Sequence, residues 1–277
     1  MKKLKKLLAI VLLNLCHPAH SQNMVQNGSF ESYVSIPAFT GDFTCSPWLA
    51  ISGTPDLLTV PATVMSGCNI PYTFAGTINA YEGSSCIGFS SYMQGWPSFR
   101  EYFGYYFDVP LIVGNTYEIR MMVLSAPGLA YGGIGTDCFE VAFTTAPMPL
   151  PSGFGEVINF SPQCVQQGII YATSWKEISF QLYADSAYQY MTVGCFQADS
   201  VQVQQNFFTA SQFPSVYTFV DNVKVSCPTT SIEELENSDD GKTKYTDMLG
   251  RDVPFKKGEL LICRHGKKRK LVLVFGF

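Results

Sequence analysis

Hydrophobic and polar positions alternate with a period of two over several stretches of this chain, and that period belongs to β-strands. In residues 216–227, Tyr217, Phe219, Val223, Val225 and Cys227 fall in one row, with Thr218, Asn222, Lys224 and Ser226 in the other. Asp221 interrupts the apolar row, where a bare carboxylate is costly unless it is paired, hydrogen-bonded or bound to a metal. Residues 99–109 alternate through Phe99, Phe103, Tyr105, Phe107 and Val109, with Glu101 as the interruption, and 116–124 through Tyr117, Ile119, Met121 and Val123. Residues 139–143 align Phe139, Val141 and Phe143; 176–183 align Ile178, Phe180 and Leu182; 191–196 align Met191, Val193 and Cys195; 87–89 predict a short strand. The stretches 34–48 and 57–72 read as turns and irregular chain. There is no amphipathic helical period and no internal repeat, and the connections carry Gly, Pro and Ser. This predicts an all-β, antiparallel sandwich rather than parallel βαβ units.

The two ends read differently. The N-terminus joins four lysines to the apolar run Leu7–Leu15 and an Ala-His-Ser stretch, the pattern of a secretory signal peptide over 1–21. That run is too short to span a bilayer, and no other segment is long enough, so no transmembrane segment is expected in the mature protein. After Cys227 the composition turns polar and acidic. We expect a body at 22–227, a linker at 228–243, and a small β-rich module at 244–277, too small to build a large core of its own.

Charge sharpens this division. The net charge of −4 combines a body with four basic against fourteen acidic residues and a C-terminal fifty with ten against eight. An acidic body excludes nucleic acid as a partner, because a phosphate backbone requires a basic footprint. Export permits disulfides, and seven of the eight cysteines that survive cleavage lie in the body, so at least one there is not paired within it. The mature chain has one histidine, His265 in the tail, which excludes Ser-His-Asp, Cys-His and His-ligated metal chemistry from the body.

Two families enter on specific residues. The tail carries Asp247, Leu249, Gly250 and Arg251, then Gly258 and Ile262, then Gly266 and Lys270. In this order they resemble the C-terminal sorting domain of type IX secretion cargo. That resemblance implies the type IX secretion machinery as partner and an extracellular or outer-membrane-surface location. The body resembles galactose-binding-like jelly rolls of the carbohydrate-binding-module kind. The residues that carry this are 25–31 (VQNGSFE), Arg100-Glu101-Tyr102, Gly114–Tyr117, 175–180 and 219–223 (FVDNV). It implies a jelly-roll sandwich, with Glu31 and Asp221 joined around a structural calcium. The alternatives for Asp221 are a β-bulge that turns it to solvent, or pairing with Arg120 or Arg100.

Sugar recognition needs aromatic faces for C–H surfaces and a few polar groups for hydroxyls. Trp96 in Gly-Trp-Pro, with Tyr92, Tyr102 and Tyr106 near it in sequence, are the candidates, while Trp48 and Trp175 are read as core or rim. Two carboxylates suffice for glycoside hydrolysis, and Glu82, Glu101, Asp137 and Glu140 are available, although Glu101 beside Arg100 reads as half of an ion pair. Asp185-Ser186-Ala187 and Asp199-Ser200-Val201 resemble a short acceptor motif for bacterial O-glycosylation. The expectation is a non-enzymatic surface module that binds glycan. Its alternatives are a carboxylate-based polysaccharide-acting enzyme and a structural or adhesive protein without a small ligand.

Overall fold

The computed structural model describes residues 23–128, 130–227, 243–246, 251–253, 260–265 and 268–273. The expected signal peptide, almost all of the expected linker, and Asp247, Leu249, Gly250, Gly258 and Gly266 of the sorting motif lie outside these residues. The body, Ser21–Pro228, is one compact unit, and the C-terminal strands belong to another.

The body contains β1 (Trp48–Ser52), β2 (Asp56–Thr59), β3 (Tyr72–Thr73), β4 (Gly76–Thr77), β5 (Ser85–Met93), β6 (Tyr102–Tyr106) and β7 (Thr116–Ser125). These are followed by β8 (Tyr131–Thr136), β9 (Glu140–Thr144), β10 (Cys164–Val165), β11 (Lys176–Tyr183), β12 (Tyr190–Gly194), β13 (Gln204–Asn206) and β14 (Phe213–Ser226). Among the described residues the only helical element is a single 3₁₀ turn, Val64–Ser66. One sheet runs β1-β6-β12-β9-β10; the other runs β11-β7-β14-β5-β2 and extends through β8 and β13. The strand pairs are antiparallel apart from β14 with β8. This is the all-β sandwich expected from the pattern.

The core between the sheets uses the rows read from sequence. Tyr117, Ile119, Met121 and Val123 enter it from β7, Ile178, Phe180 and Leu182 from β11, and Val141 and Phe143 from β9 beside Phe139. Each such side chain contributes roughly 1.5–3 kcal/mol when fully buried, so slipping any of these strands by one residue would forfeit several of these terms at once. Two satellite clusters cover the outer faces. One packs Leu58, Cys68, Ile70, Tyr217 and Phe219 over the larger sheet; the other packs Tyr102, Ala142, Met148, Ile158 and Phe196 over the smaller.

Three expectations need correction. The row read along β14 is two rows. Tyr217 and Phe219 lie in an outer cluster, whereas Val223 and Val225 join Val220 in the central core. Pairing with β7 passes from Asp221↔Met122 to Lys224↔Arg120, so one extra residue sits in β14, with Asn222 at φ 50°. That bulge shifts the phase of the alternation, and because both faces of β14 are covered, apolar residues occupy both rows. Second, the row at 99–109 keeps Phe103, Tyr105 and Phe107 in the core, while Val109 is exposed and Phe99 half-buried outside it. Third, β8 and most of β5 went unread, β8 because its Gly132 and Gly133 carry no apolar side chain.

Cys138, just before β9, and Cys195, just after the neighbouring strand β12, form a disulfide across a sequence separation of 57. Chain-entropy reasoning values a crosslink of this span at about 4 kcal/mol. Cys45, Cys68, Cys86 and Cys164 are buried thiols. Burial pushes Cys45, Cys68 and Cys164 up to about 12 and Cys86 well up, so these sulfurs are inert at neutral pH.

The C-terminal unit is a small antiparallel sheet: β15 (Thr243–Thr246), β16 (Asp252–Val253), β17 (Leu260–His265) and β18 (Lys268–Leu273), in the order β16-β15-β17-β18. Ile262 and Lys270 of the sorting motif lie on β17 and β18, and Arg251 is exposed just before β16.

Candidate functional site

A cavity of about 150 Å³ opens on the outer side of the larger sheet, with Asp56, Ser90, Glu101 and Tyr217 among its lining. Local backbone pairing brings these four together. Asp56 begins β2 opposite Gly88 of β5, and Tyr217 of β14 lies opposite Ser90 on the other edge of β5. The Tyr217 ring reaches across β5 because Gly88 has no side chain; a Cβ there would overlap the phenol. The Tyr217 hydroxyl donates to Asp56 Oδ2 at 2.5 Å, and the Gly41 N–H donates to Oδ1 at 2.6 Å. Glu101 is clamped to β5: its N–H donates to the Ser90 carbonyl at 2.8 Å, and the Ser90 N–H donates to Oε2 at 2.6 Å. Thr54 Oγ1 donates to Oε1 at 2.7 Å.

Asp56, Ser90, Glu101 and Tyr217 are all buried, and none of the lining residues is Lys, Arg or His. Burial pushes the Asp56 carboxyl well above the usual carboxylate range, against the pull of the Tyr217 and Gly41 hydrogen bonds. Burial raises Glu101 in the same direction, and the Asp56 charge raises it further. Tyr217, between them, is held well above the usual phenol range by burial and by both acids. The floor therefore holds two carboxyl groups that disfavour each other's ionisation. The rim is softer: Phe74, Met93, Phe99 and Tyr131 are half-buried, and Thr40 and Thr54 exposed.

Trp96 extends this rim. It follows β5 at 64% exposure, in the turn that carries Gly95 (φ 87°) and Ser98 (φ 61°), and its ring meets Phe99 edge to face at 6.5 Å. The other three predicted aromatics are elsewhere. Tyr102 is a correction: it is fully buried, donating to the Cys195 carbonyl at 2.6 Å and accepting from the Ile158 N–H at 3.1 Å, so it has no face for a ligand. Tyr106 is partly exposed on the smaller sheet, beside Tyr190 at 5.1 Å. Tyr92 is half-buried on β5 and does not line the cavity.

Arg100 does not pair with Glu101. It is fully buried and donates to Asp199 at 2.7 Å and to the Phe99 and Gln197 carbonyls, each at 2.8 Å. The Ser98 N–H also donates to Asp199 at 2.8 Å, so this ion pair ties the Trp96–Phe99 turn to the segment after β12. Of the predicted acids, Glu101 alone lines the cavity. Asp137 caps the Val203 N–H at 2.8 Å, and Glu140 accepts from the Phe196 N–H at 2.6 Å. Glu140 also clusters with Cys138 and Cys195, but both sulfurs are spent in the disulfide.

The predicted metal pair meets on one loop. Asp221 is fully buried rather than turned to solvent, and accepts from the N–H groups of Tyr81, Glu82 and Asn222 at 2.8, 3.0 and 2.6 Å. Glu31 accepts from the Ser84 and Ser85 N–H groups at 2.9 and 2.8 Å and from the Ser84 hydroxyl at 2.8 Å. Neither carboxylate has an ion-pair partner among the described residues. Burial and, in smaller part, the Glu31 charge push Asp221 up to about 7. Asp221 Oδ1 and Glu31 Oε2 each hold a single donor. Two uncompensated carboxylates with acceptor capacity left match a hard divalent cation in charge and ligand type.

No family model matches this chain, and no curated protein matches it in sequence. Among solved structures it is similar to a carbohydrate-binding module in complex with β-1,4-galactotriose. That match has 13% identity and a TM-score of 0.36, and covers 75% of this chain and 99% of that one. A xylan-binding domain from Paenibacillus barcinonensis gives 11% identity and a TM-score of 0.37, over 75% of this chain and 95% of that one. The K1 cleaved adhesin domain of Lys-gingipain from Porphyromonas gingivalis W83 gives 15% and 0.36, over 68% and 95%. These likenesses are low, and the functional reading rests on the chain's own cavity.

Proposed function

We propose that this chain is an exported, non-enzymatic module that binds glycan in the acid-floored cavity, with Trp96 and Phe99 as its stacking rim. One observation carries the reading: the Asp56 and Glu101 carboxyl groups floor a cavity that has no basic side chain in its wall, inside a ring of aromatic and thioether side chains. Sugar hydroxyls supply the donors, and sugar C–H faces suit the rim. Glu31 and Asp221 would hold a structural calcium that offsets their charge and ties the opening of the mature chain to β14. The C-terminal module would act as the type IX sorting signal, which places the body outside the cell or on the outer-membrane surface.

The test is a glycan-array screen of the full chain in calcium and in chelator, with reducing ends assayed in the same samples. Retention should fall at least tenfold in Trp96→Ala, a loss of about 1.4 kcal/mol. Silence across a broad array would sink the reading. Steady release of reducing ends would convert it to the enzymatic one, since a pair of carboxyls is what glycoside cleavage requires. Calcium should raise the thermal midpoint of the wild type and leave Glu31→Gln unchanged. An equal rise in both would remove calcium from that pair.

A further inference from the structure

We propose that the cavity selects a glycan bearing a free, positively charged amino group, such as a hexosamine that is not N-acetylated. This rests on the glycan reading above and names the ligand class for the same site.

The floor of the cavity lacks a counter-charge. Asp56 and Glu101 line one cavity without any basic side chain in its wall. The neutral donors that reach them are already committed: the Tyr217 hydroxyl and Gly41 N–H to Asp56, the Thr54 hydroxyl and Ser90 N–H to Glu101. Each of the four carboxyl oxygens thus holds one of these donors, the Thr54 N–H adds a further one to Glu101, and three of the four oxygens keep room for a second. What enters must bring several donors, and the charge that best relieves two adjacent buried acids is positive. An ammonium meets both demands, with three N–H groups and a unit charge. A hydroxyl brings one donor and no charge, and an acetamide one donor and a bulky methyl. The wall suits a cation as well. Phe74 packs edge to face on Tyr131 at 5.1 Å and on Tyr217 at 5.3 Å, so aromatic rings surround the acids and attract a cation placed over a ring face. The cavity, at about 150 Å³, is sized for one small group and not for an oligosaccharide, so the rest of the chain would run out over Phe99 and Trp96.

The experiment is calorimetric titration of the full chain at pH 7 with three tetrasaccharides: β-1,4-glucosamine, β-1,4-N-acetylglucosamine and β-1,4-xylose. The expected result is a dissociation constant for the glucosamine oligomer at least tenfold below the other two. Asp56→Asn and Glu101→Gln should each abolish that preference while retaining a cooperative melt. If xylose or the acetylated oligomer binds as tightly as glucosamine, the amino-group proposal is overturned while the glycan reading stands. Binding by none of the three overturns this proposal, and if the broad array is silent too the glycan reading falls with it. A preference that survives in both variants places selection outside this cavity and overturns the proposal as well.

Discussion

Asp221 shows what a single residue gave away in the sequence and what it withheld. Its place in an apolar row marked it as buried and in need of partners, and three backbone N–H groups meet it there. Asp56 gave no such signal: it opens a short strand, Asp-Leu-Leu-Thr, after a turn-rich stretch, and its partner Tyr217 is 161 positions away. The titration of these acids sets the pH dependence of the body. A carboxyl whose folded pKa is raised favours the native state below its unfolded value, and that contribution is lost as pH rises through the folded value. For Asp221 the window runs from 3.8 to about 7, and Asp56 and Glu101 shift in the same direction. Asp199 opposes them. Its burial is outweighed by hydrogen bonds from Ser98, Arg100 and Gln202 and by the Arg100 charge, which hold its carboxyl below the usual range. Because Asp199 titrates below its unfolded value, its contribution is constant above pH 5, and the three raised acids alone predict a thermal midpoint, in chelator, that falls by several degrees between pH 5 and pH 8. The body contains no histidine to blur this window. Asp221→Asn should flatten the slope; a midpoint that stays level or rises over that range would contradict the assignment.

At the scale of elements, the sequence reported strands well wherever one face was buried and the other wet. The alternation of β11, exposed and buried in turn from Glu177 onward, is such a case. It read β14 as a strand but not the bulge that splits its row between two faces, and it missed β8, where glycines replace side chains and period two is absent from the text. It also failed for the turn after β5. Trp96 was legible as an exposed aromatic, but the tether that fixes its loop was not, since Arg100 and Asp199 are 99 residues apart. That tether makes an element-scale prediction. Asp199→Asn leaves the fully buried Arg100 without its counter-charge, and breaking such a pair costs about 3 kcal/mol. Chemical denaturation should read that loss, and glycan retention should weaken in parallel because the Trp96–Phe99 turn loosens. A loss under about 1 kcal/mol would show that the Gln197 and Phe99 carbonyls suffice to hold Arg100.

The chain divides into two compact units of opposite charge balance. The body has its own central core and disulfide. The tail is a four-stranded sheet of short strands, too small to supply a comparable core. If the tail is an address, its removal should leave the body folded and stop its export. We therefore expect a chain ending at residue 243 to melt within about 2 °C of the full-length protein, since its core loses nothing. In the producing cell that shortened chain should accumulate behind the outer membrane, whereas the full chain appears outside. Arg251, exposed beside β16, offers a finer test. Arg251→Ala should reduce the exported fraction several-fold at unchanged thermal midpoint, because an exposed side chain in the tail contributes little to stability. Export that persists without residues 244–277 would refute the address and place the export signal in the body. A body that unfolds when the tail is cut would mean that the small sheet is part of the fold it was expected only to deliver.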